Sequence, residues 1–174
     1  MNIVKAAIVG AIGSLVMFVV MTPLIRAGIA PFNVPPSAAF LLAIGIANPP
    51  LALAVHFGYG ALASIGLVAL YRERTNLATG LAFAGVLWLI LMIVYSPIIG
   101  WGVFGIGASG TTLMPTDPLY LKAALPYAAA TLGLHLVYGL VVGALDRMWI
   151  VTPQLRKRRD SHPGTPEPAH SHQH

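Results

Sequence analysis

An all-α integral membrane bundle of four helices is the fold this sequence predicts, and three observations predict it. Charged residues make up 9% of the 174-residue chain and hydrophobic residues 57%, whereas a soluble domain carries about 25% charged residues. The few charges are gathered at intervals, leaving apolar runs of span length between them. The basic residues fall almost wholly on one side of a four-span arrangement. Together these features exclude an ordinary water-soluble enzyme, a disulfide scaffold (there is no Cys) and a disordered chain.

An ionised side chain at mid-membrane costs about 2.5–3.5 kcal/mol or more, so charge-free stretches locate the bilayer. Twenty uncharged residues lie between Lys5 and Arg26, enough for one span at about 1.5 Å rise per residue. Between Arg26 and Arg72 lie 45 uncharged residues, more than one span needs. The first of them, AGIAPFNVPPS, are too rich in Pro for a helix and read as a loop. Ser37 to Asn48 then reads as a short apolar segment stopped by Pro49-Pro50, with the second span behind it. The predicted spans are about 5–26, 50–71, 76–99 and 123–146, forming one domain over residues 1–150. Residues 151–174 are predicted to be a disordered, basic and His-rich cytoplasmic tail.

Orientation follows from Lys5, Arg72, Arg74, Arg147 and Arg156 to Arg159 on one side, against Arg26 and Lys122 on the other. That bias predicts N-in and C-in topology in a bacterial inner membrane. It also explains the net charge of +5 without nucleic acid. The first apolar run is longer than the roughly 7–15 residues of a signal-peptide core, so it reads as an uncleaved span.

The pattern repeats. Thr22-Pro-Leu-Ile25 recurs as Ser96-Pro-Ile-Ile99 at an offset of 74, each at the end of a span. His56-Phe-Gly-Tyr-Gly60 recurs as His135-Leu-Val-Tyr-Gly139 at an offset of 79. Two matches in the same order predict two tandem two-helix copies, and an even number of spans per copy makes them parallel. Small residues at i, i+4 spacing (Ala6/Gly10/Ser14, Gly60/Ser64, Gly80/Ala84, Gly139/Gly143) give each span a face for close helix packing.

His56 and His135 are the candidate functional residues, because a neutral imidazole brings a donor and an acceptor that must each be satisfied in a dry interior. Three readings stand open. The histidines brace helix packing, with Tyr59 and Tyr138 three residues on as partners. Or they ligate a haem b from both sides, with Gly58, Gly60, Gly133 and Gly139 leaving room for the macrocycle. Or they pass protons or small molecules, although no Asp or Glu lies well inside a span: Asp146 reads as an edge residue paired with Arg147 or solvated. Trp101, Tyr120 and Tyr127 at one boundary, and Tyr71 and Trp149 at the other, read as an aromatic belt. Thr22-Pro23 and Ser96-Pro97 read as helix ends or kinks, their hydroxyls available to a carbonyl freed by Pro.

In the tail, Arg156, Lys157, Arg158 and Arg159 form a cluster suited to anionic lipid head groups. His170, His172 and His174 alternate and offer a loose metal site. No phosphate-binding loop, zinc-protease helix, Cys-based motif or nucleophile elbow is present, so no enzyme activity is expected.

Over residues 50–150 the chain resembles the YagU-related group of small bacterial inner-membrane proteins. The likeness rests on Ser96-Pro-Ile-Ile-Gly100, the Pro-rich loop, Leu125-Pro-Tyr127, Gly133-Leu-His-Leu-Val137 and the basic end. The first loop is shorter here, and the H-x-x-Y-G pattern is this chain's own. The resemblance implies four membrane helices and assigns no activity. The expected function is therefore a non-catalytic membrane component, homo-oligomeric or a subunit of a larger assembly. A bis-histidine electron carrier and a small permease are the alternatives.

Overall fold

The computed structural model describes residues 2–161. Within them the chain is helical, without strands, and has four helices long and apolar enough to cross a membrane. Helix α1 spans Ile3–Arg26, capped by the Asn2 side chain, which accepts from the Lys5 amide. The short α2, Pro36–Ala43, starts on Pro, whose missing N–H costs nothing in a first turn. Helix α3, Pro49–Tyr71, starts on two prolines behind an Asn48 cap. Helix α4, Leu77–Ile90, opens on a capping box between Asn76 and Thr79 and continues through a π-helical turn, Leu91–Tyr95, to a last turn, Ser96–Ile99. Helix α5, Ala124–Asp146, passes through a second π-helical turn, Arg147–Val151, into α6, Thr152–Ser161.

Helix α5 therefore does not stop at the boundary expected near residue 146, and the stretch 152–161 of the expected disordered tail is helical. The rest of that tail, with His170, His172 and His174, lies outside the described residues.

Both π-helical turns run into a hydroxyl-Pro pair, Ser96-Pro97 and Thr152-Pro153. A proline has no N–H for the i−4 carbonyl and its ring collides with that carbonyl, so widening the preceding turn relieves the clash. The Ser96 and Thr152 amides bond five residues back, to the Leu91 and Arg147 carbonyls. In α1, Pro23 is instead absorbed inside the helix, and the Thr22 hydroxyl has no partner among the described residues. Ser96 does not repair a carbonyl freed by Pro either; its hydroxyl donates forward to Gly102 O at 2.7 Å and holds the following loop.

The packing order is α3, α1, α5, α4: α1 packs closely on α3 and on α5, and α5 on α4, while α3 and α4 meet sparsely. Each hairpin crosses at small residues. A Cβ on Gly10 would overlap the Gly60 carbonyl and lie 2.8 Å from Ala61 Cα. A Cβ on Gly139 would lie 2.6 Å from Gly80 O and 2.7 Å from Ala84 Cβ. The small-residue faces expected from the sequence are where the backbones touch.

At the end where α2 sits, the two long loops form an ordered cap. Phe32 and Leu121 pair in a single antiparallel bridge, and Asn33 Nδ2 donates to the Pro115 and Asp117 carbonyls at 2.8 and 2.7 Å. Trp101 and Tyr127 are fully buried there, with ring centroids 5.1 Å apart and Phe32 against both. Neither belongs to a lipid-facing belt: Trp101 Nε1 finds its acceptor in Leu119 O at 2.8 Å, so the ring is satisfied inside the cap. At the opposite, terminal end lie the Arg72–Arg74 turn, both chain ends of the bundle and an exposed Arg158–Glu73 ion pair.

Candidate functional site: a histidine-lined cavity

The four spans and α2 enclose a cavity of about 110 Å³, lined among others by His56, Tyr59, Thr131, His135 and Tyr138. The rest of its wall is mostly apolar, with Met17 and Met21 from α1 and Leu87 and Leu91 from the α4 span, beside the hydroxyls of Ser14 and Ser37. The π-helical turn supplies two lining residues, Leu91 and Tyr95, and Tyr95 stacks on Phe40 of α2 at 4.7 Å. Two further lining residues are themselves exposed, Tyr59 on α3 and Ile90 on α4. The mouth of the cavity therefore lies between α3 and α4, which meet only sparsely.

The two histidines reach this cavity from different hairpins. His56 Nε2 lies 2.9 Å from Ser14 O on α1, and Ser14 Oγ donates to His56 O at 3.4 Å, a reciprocal clasp across the first hairpin. His135 Nδ1 lies 2.8 Å from Thr131 O, one turn back on its own helix. A carbonyl only accepts, so in each neutral ring the bonded nitrogen carries the proton. The lone pair is left on Nδ1 of His56 and on Nε2 of His135. A ring oriented through Nδ1–H by a carbonyl, with Nε2 open, is the arrangement of a histidine that receives a ligand. His135 has it and His56 does not.

The tyrosines do not partner the histidines. Tyr138 is buried and its hydroxyl donates to Gly60 O on α3, tying the second hairpin to the first. Tyr59 is 47% exposed at the cavity mouth. Thr131 is a shared node: its hydroxyl donates to Tyr127 O at 2.7 Å and accepts from Trp88 Nε1 at 3.2 Å.

A haem sandwiched by both histidines does not fit this arrangement. The volume falls well below the roughly 300–1,000 Å³ of a typical cofactor-sized pocket. Gly60 and Gly139, expected to make room for a macrocycle, are filled by Gly10, Ser14, Gly80 and Ala84. Of the four glycines expected to make room, only Gly58 and Gly133 have open space beside them. Among the described residues no three His, Cys, Asp or Glu side chains gather as metal ligands. Arg156, Lys157, Arg158 and Arg159 lie on α6, all exposed, and Arg158 turns to Glu73.

Asp146 corrects the sequence reading. It is fully buried, and its Oδ2 accepts from Ser64 Oγ on α3 at 2.9 Å. Arg147 points elsewhere, donating to Glu73 O at 2.9 Å. The reason is the length of the helix: because it continues to Ser161, residue 146 lies within its buried stripe (138, 142, 146, 150), not at its end. The spacing of four from Tyr138 through Val142 carried that signal, but an assumed helix end at 146 concealed it. Comparison with protein-family models, with curated proteins and with solved structures finds no match.

Proposed function

We propose that this is a non-catalytic integral membrane protein that holds a small, mostly apolar molecule at the paired histidines, as an accessory binding component of the bacterial inner membrane. One observation carries the reading: both membrane histidines line one cavity, each with one nitrogen fixed by a carbonyl and the other left free. The walls favour a hydrocarbon-like body, and the free lone pairs favour a hydroxyl or amine at one end. An apolar cavity of about 150 Å³ stays dry and takes up benzene-sized guests. About one helical turn from the exposed mouth residues Tyr59 and Ile90 stand the exposed apolar side chains of Leu62 on α3 and Val86 on α4, so entry from the acyl-chain region suits the site.

The same proposal includes two tandem hairpins in parallel, with both termini in the cytoplasm. Support comes from the crossing points, since each hairpin closes on the glycine of its H-x-x-Y-G segment, Gly60 or Gly139. A rotation exchanging the hairpins turns the α1–α5 contact into α4–α3. The first is tight and the second sparse, so the copies have diverged where the cavity opens. Tyr138 bonds across the bundle to the Gly60 carbonyl of α3 while its counterpart Tyr59 stands at the mouth.

The test is solvent extraction of detergent-purified protein followed by mass spectrometry. Wild type should yield a stoichiometric small apolar compound. A Leu134→Trp variant, which fills the cavity, should yield at least about tenfold less, a loss of roughly 1.4 kcal/mol in binding. Equal recovery from both would remove the cavity as the binding site. The visible spectrum of the same preparation reads out the bis-histidine haem alternative.

A further inference from the structure

We infer that Asp146, closed over by Ser64, is a proton-binding site that latches the α3–α5 seam at the terminal end of the bundle. The carboxyl is fully buried; Oδ2 takes the Ser64 hydroxyl, and among the described residues Oδ1 has no hydrogen-bond partner. Among the described residues, no Lys, Arg or His nitrogen lies within 4.0 Å of it.

The elements packed around the carboxyl offer no counter-charge. Val142, one turn above it, belongs to an apolar cluster with Val9 of α1 and Leu67 of α3; Ile150, one turn below, belongs to another with Ala6 and Val68. Lys5 of α1 is exposed, Tyr71 of α3 is half-buried, and Arg147 is engaged with Glu73 O. Helix α4 carries no charged side chain. Tyr138 is the titratable group facing the carboxyl from the cavity side. A buried carboxylate without water or a cation is strongly penalised, whereas the neutral acid has no charge to desolvate. The proton sits on Oδ1, and Oδ2, as the carbonyl oxygen, accepts from Ser64.

Polar groups continue from this site toward the cavity. One turn above Ser64 is Gly60, whose carbonyl takes the Tyr138 hydroxyl, and three residues before Tyr138 is His135 in the cavity wall. Loss of the proton breaks only the Oδ1–H bond, and the proton passes to water at the terminal end. The carboxylate left behind needs hydration, which the seam admits only by parting α3 from α5. The site is therefore latched when protonated and open when ionised, whatever the cavity holds.

Infrared spectroscopy of the full chain in a maltoside detergent, which has no carbonyl, tests this. At neutral pH the wild type should show a carboxylic-acid C=O band that moves on transfer to D2O. The band should disappear in Asp146→Asn and move to higher frequency in Ser64→Ala, which keeps the acid and serves if the Asn variant does not fold. Absence of the band in wild type, its survival in Asp146→Asn, or an unmoved band in Ser64→Ala would overturn the assignment. Raising the pH until the band is lost should speed amide exchange in residues 60–71 and 139–150. Unchanged exchange there would overturn the latch.

Discussion

Tyr138 shows how much one buried hydroxyl can organise in a helical membrane bundle. It shares one buried cluster with Val9, Ala63, Leu67 and Leu87, drawn from the three other spans, and its hydroxyl closes on the Gly60 carbonyl. That carbonyl is free to accept because α3 has no side chain at Gly60 to shield it. Interhelical hydrogen bonds in membranes average about 0.6 kcal/mol and reach about 1.7. Tyr138→Phe keeps the ring and should therefore cost about 0.6–1.7 kcal/mol, read from unfolding in mixed detergent micelles. Tyr59→Phe, whose hydroxyl has no comparable bond, should leave the unfolding midpoint where it was. At this scale the sequence was half legible. His56 and His135 stood out because imidazoles are rare in apolar runs, and both do line the cavity. Their acceptors, the Ser14 and Thr131 carbonyls, were not legible, because every residue has a carbonyl and only the fold selects two of them. Asp146 was seen but misplaced, since a charge beside Arg147 looks like an interface residue until the helix is known to continue.

At the scale of elements, close backbone approach decides which helices pair. Without a hydrophobic drive between helices in lipid, association rests on van der Waals contact, and glycine lets the backbones come nearest. A Cβ at Gly10 would strike backbone atoms of Gly60 and Ala61, which have no rotamer with which to yield. Gly10→Ala should therefore destabilise the first hairpin by about 1–3 kcal/mol or more. Gly85→Ala, with open space beside it, should leave stability unchanged or raise it by up to about 1 kcal/mol through helix propensity. Thermal unfolding of both variants in one detergent separates the two cases. The turn joining α3 to α4 obeys different rules, because water reaches it. There Asn76 Oδ1 accepts from the Thr79 amide at 3.1 Å and Thr79 Oγ1 from the Asn76 amide at 2.9 Å. Asn76→Ala should cost about 1 kcal/mol, as lost caps do. These elements were largely legible: spans from the charge gaps, contact faces from small residues at i, i+4. The π-helical turns were not. Hydroxyl-Pro marked a disturbance in the helix but not its form, and the third such pair, Thr152-Pro153, fell in a segment expected to be disordered.

For the whole molecule, polarity at the two ends argues for one orientation. Helix α1, with 24 residues, is about 36 Å long, against a hydrocarbon core of roughly 30 Å, so both ends emerge into the interfacial layers. The capped end carries Lys122, whose ammonium is taken up by the Gly28 carbonyl, and Asp117, whose carboxylate accepts from the Leu119 amide at 2.7 Å. Its charges are largely spent on holding the loops together. The terminal end presents Arg72, Arg74 and the α6 cluster Arg156 to Arg159, and among the described residues Glu73 pairs only with Arg158. Each unspent basic residue near anionic lipid is worth about 1 kcal/mol, so the terminal end should face the cytoplasm. Because the chain has no Cys, single cysteines can be introduced without background. Thr116→Cys in the cap should react with a membrane-impermeant maleimide in intact cells, and Arg74→Cys only after permeabilisation. The reverse pattern would invert the orientation and place the Asp146 latch toward the outer phase. Labelling of both sites from the same side would break the four-span count itself, since α4 with its π-helical turn is the single span separating residue 74 from residue 116.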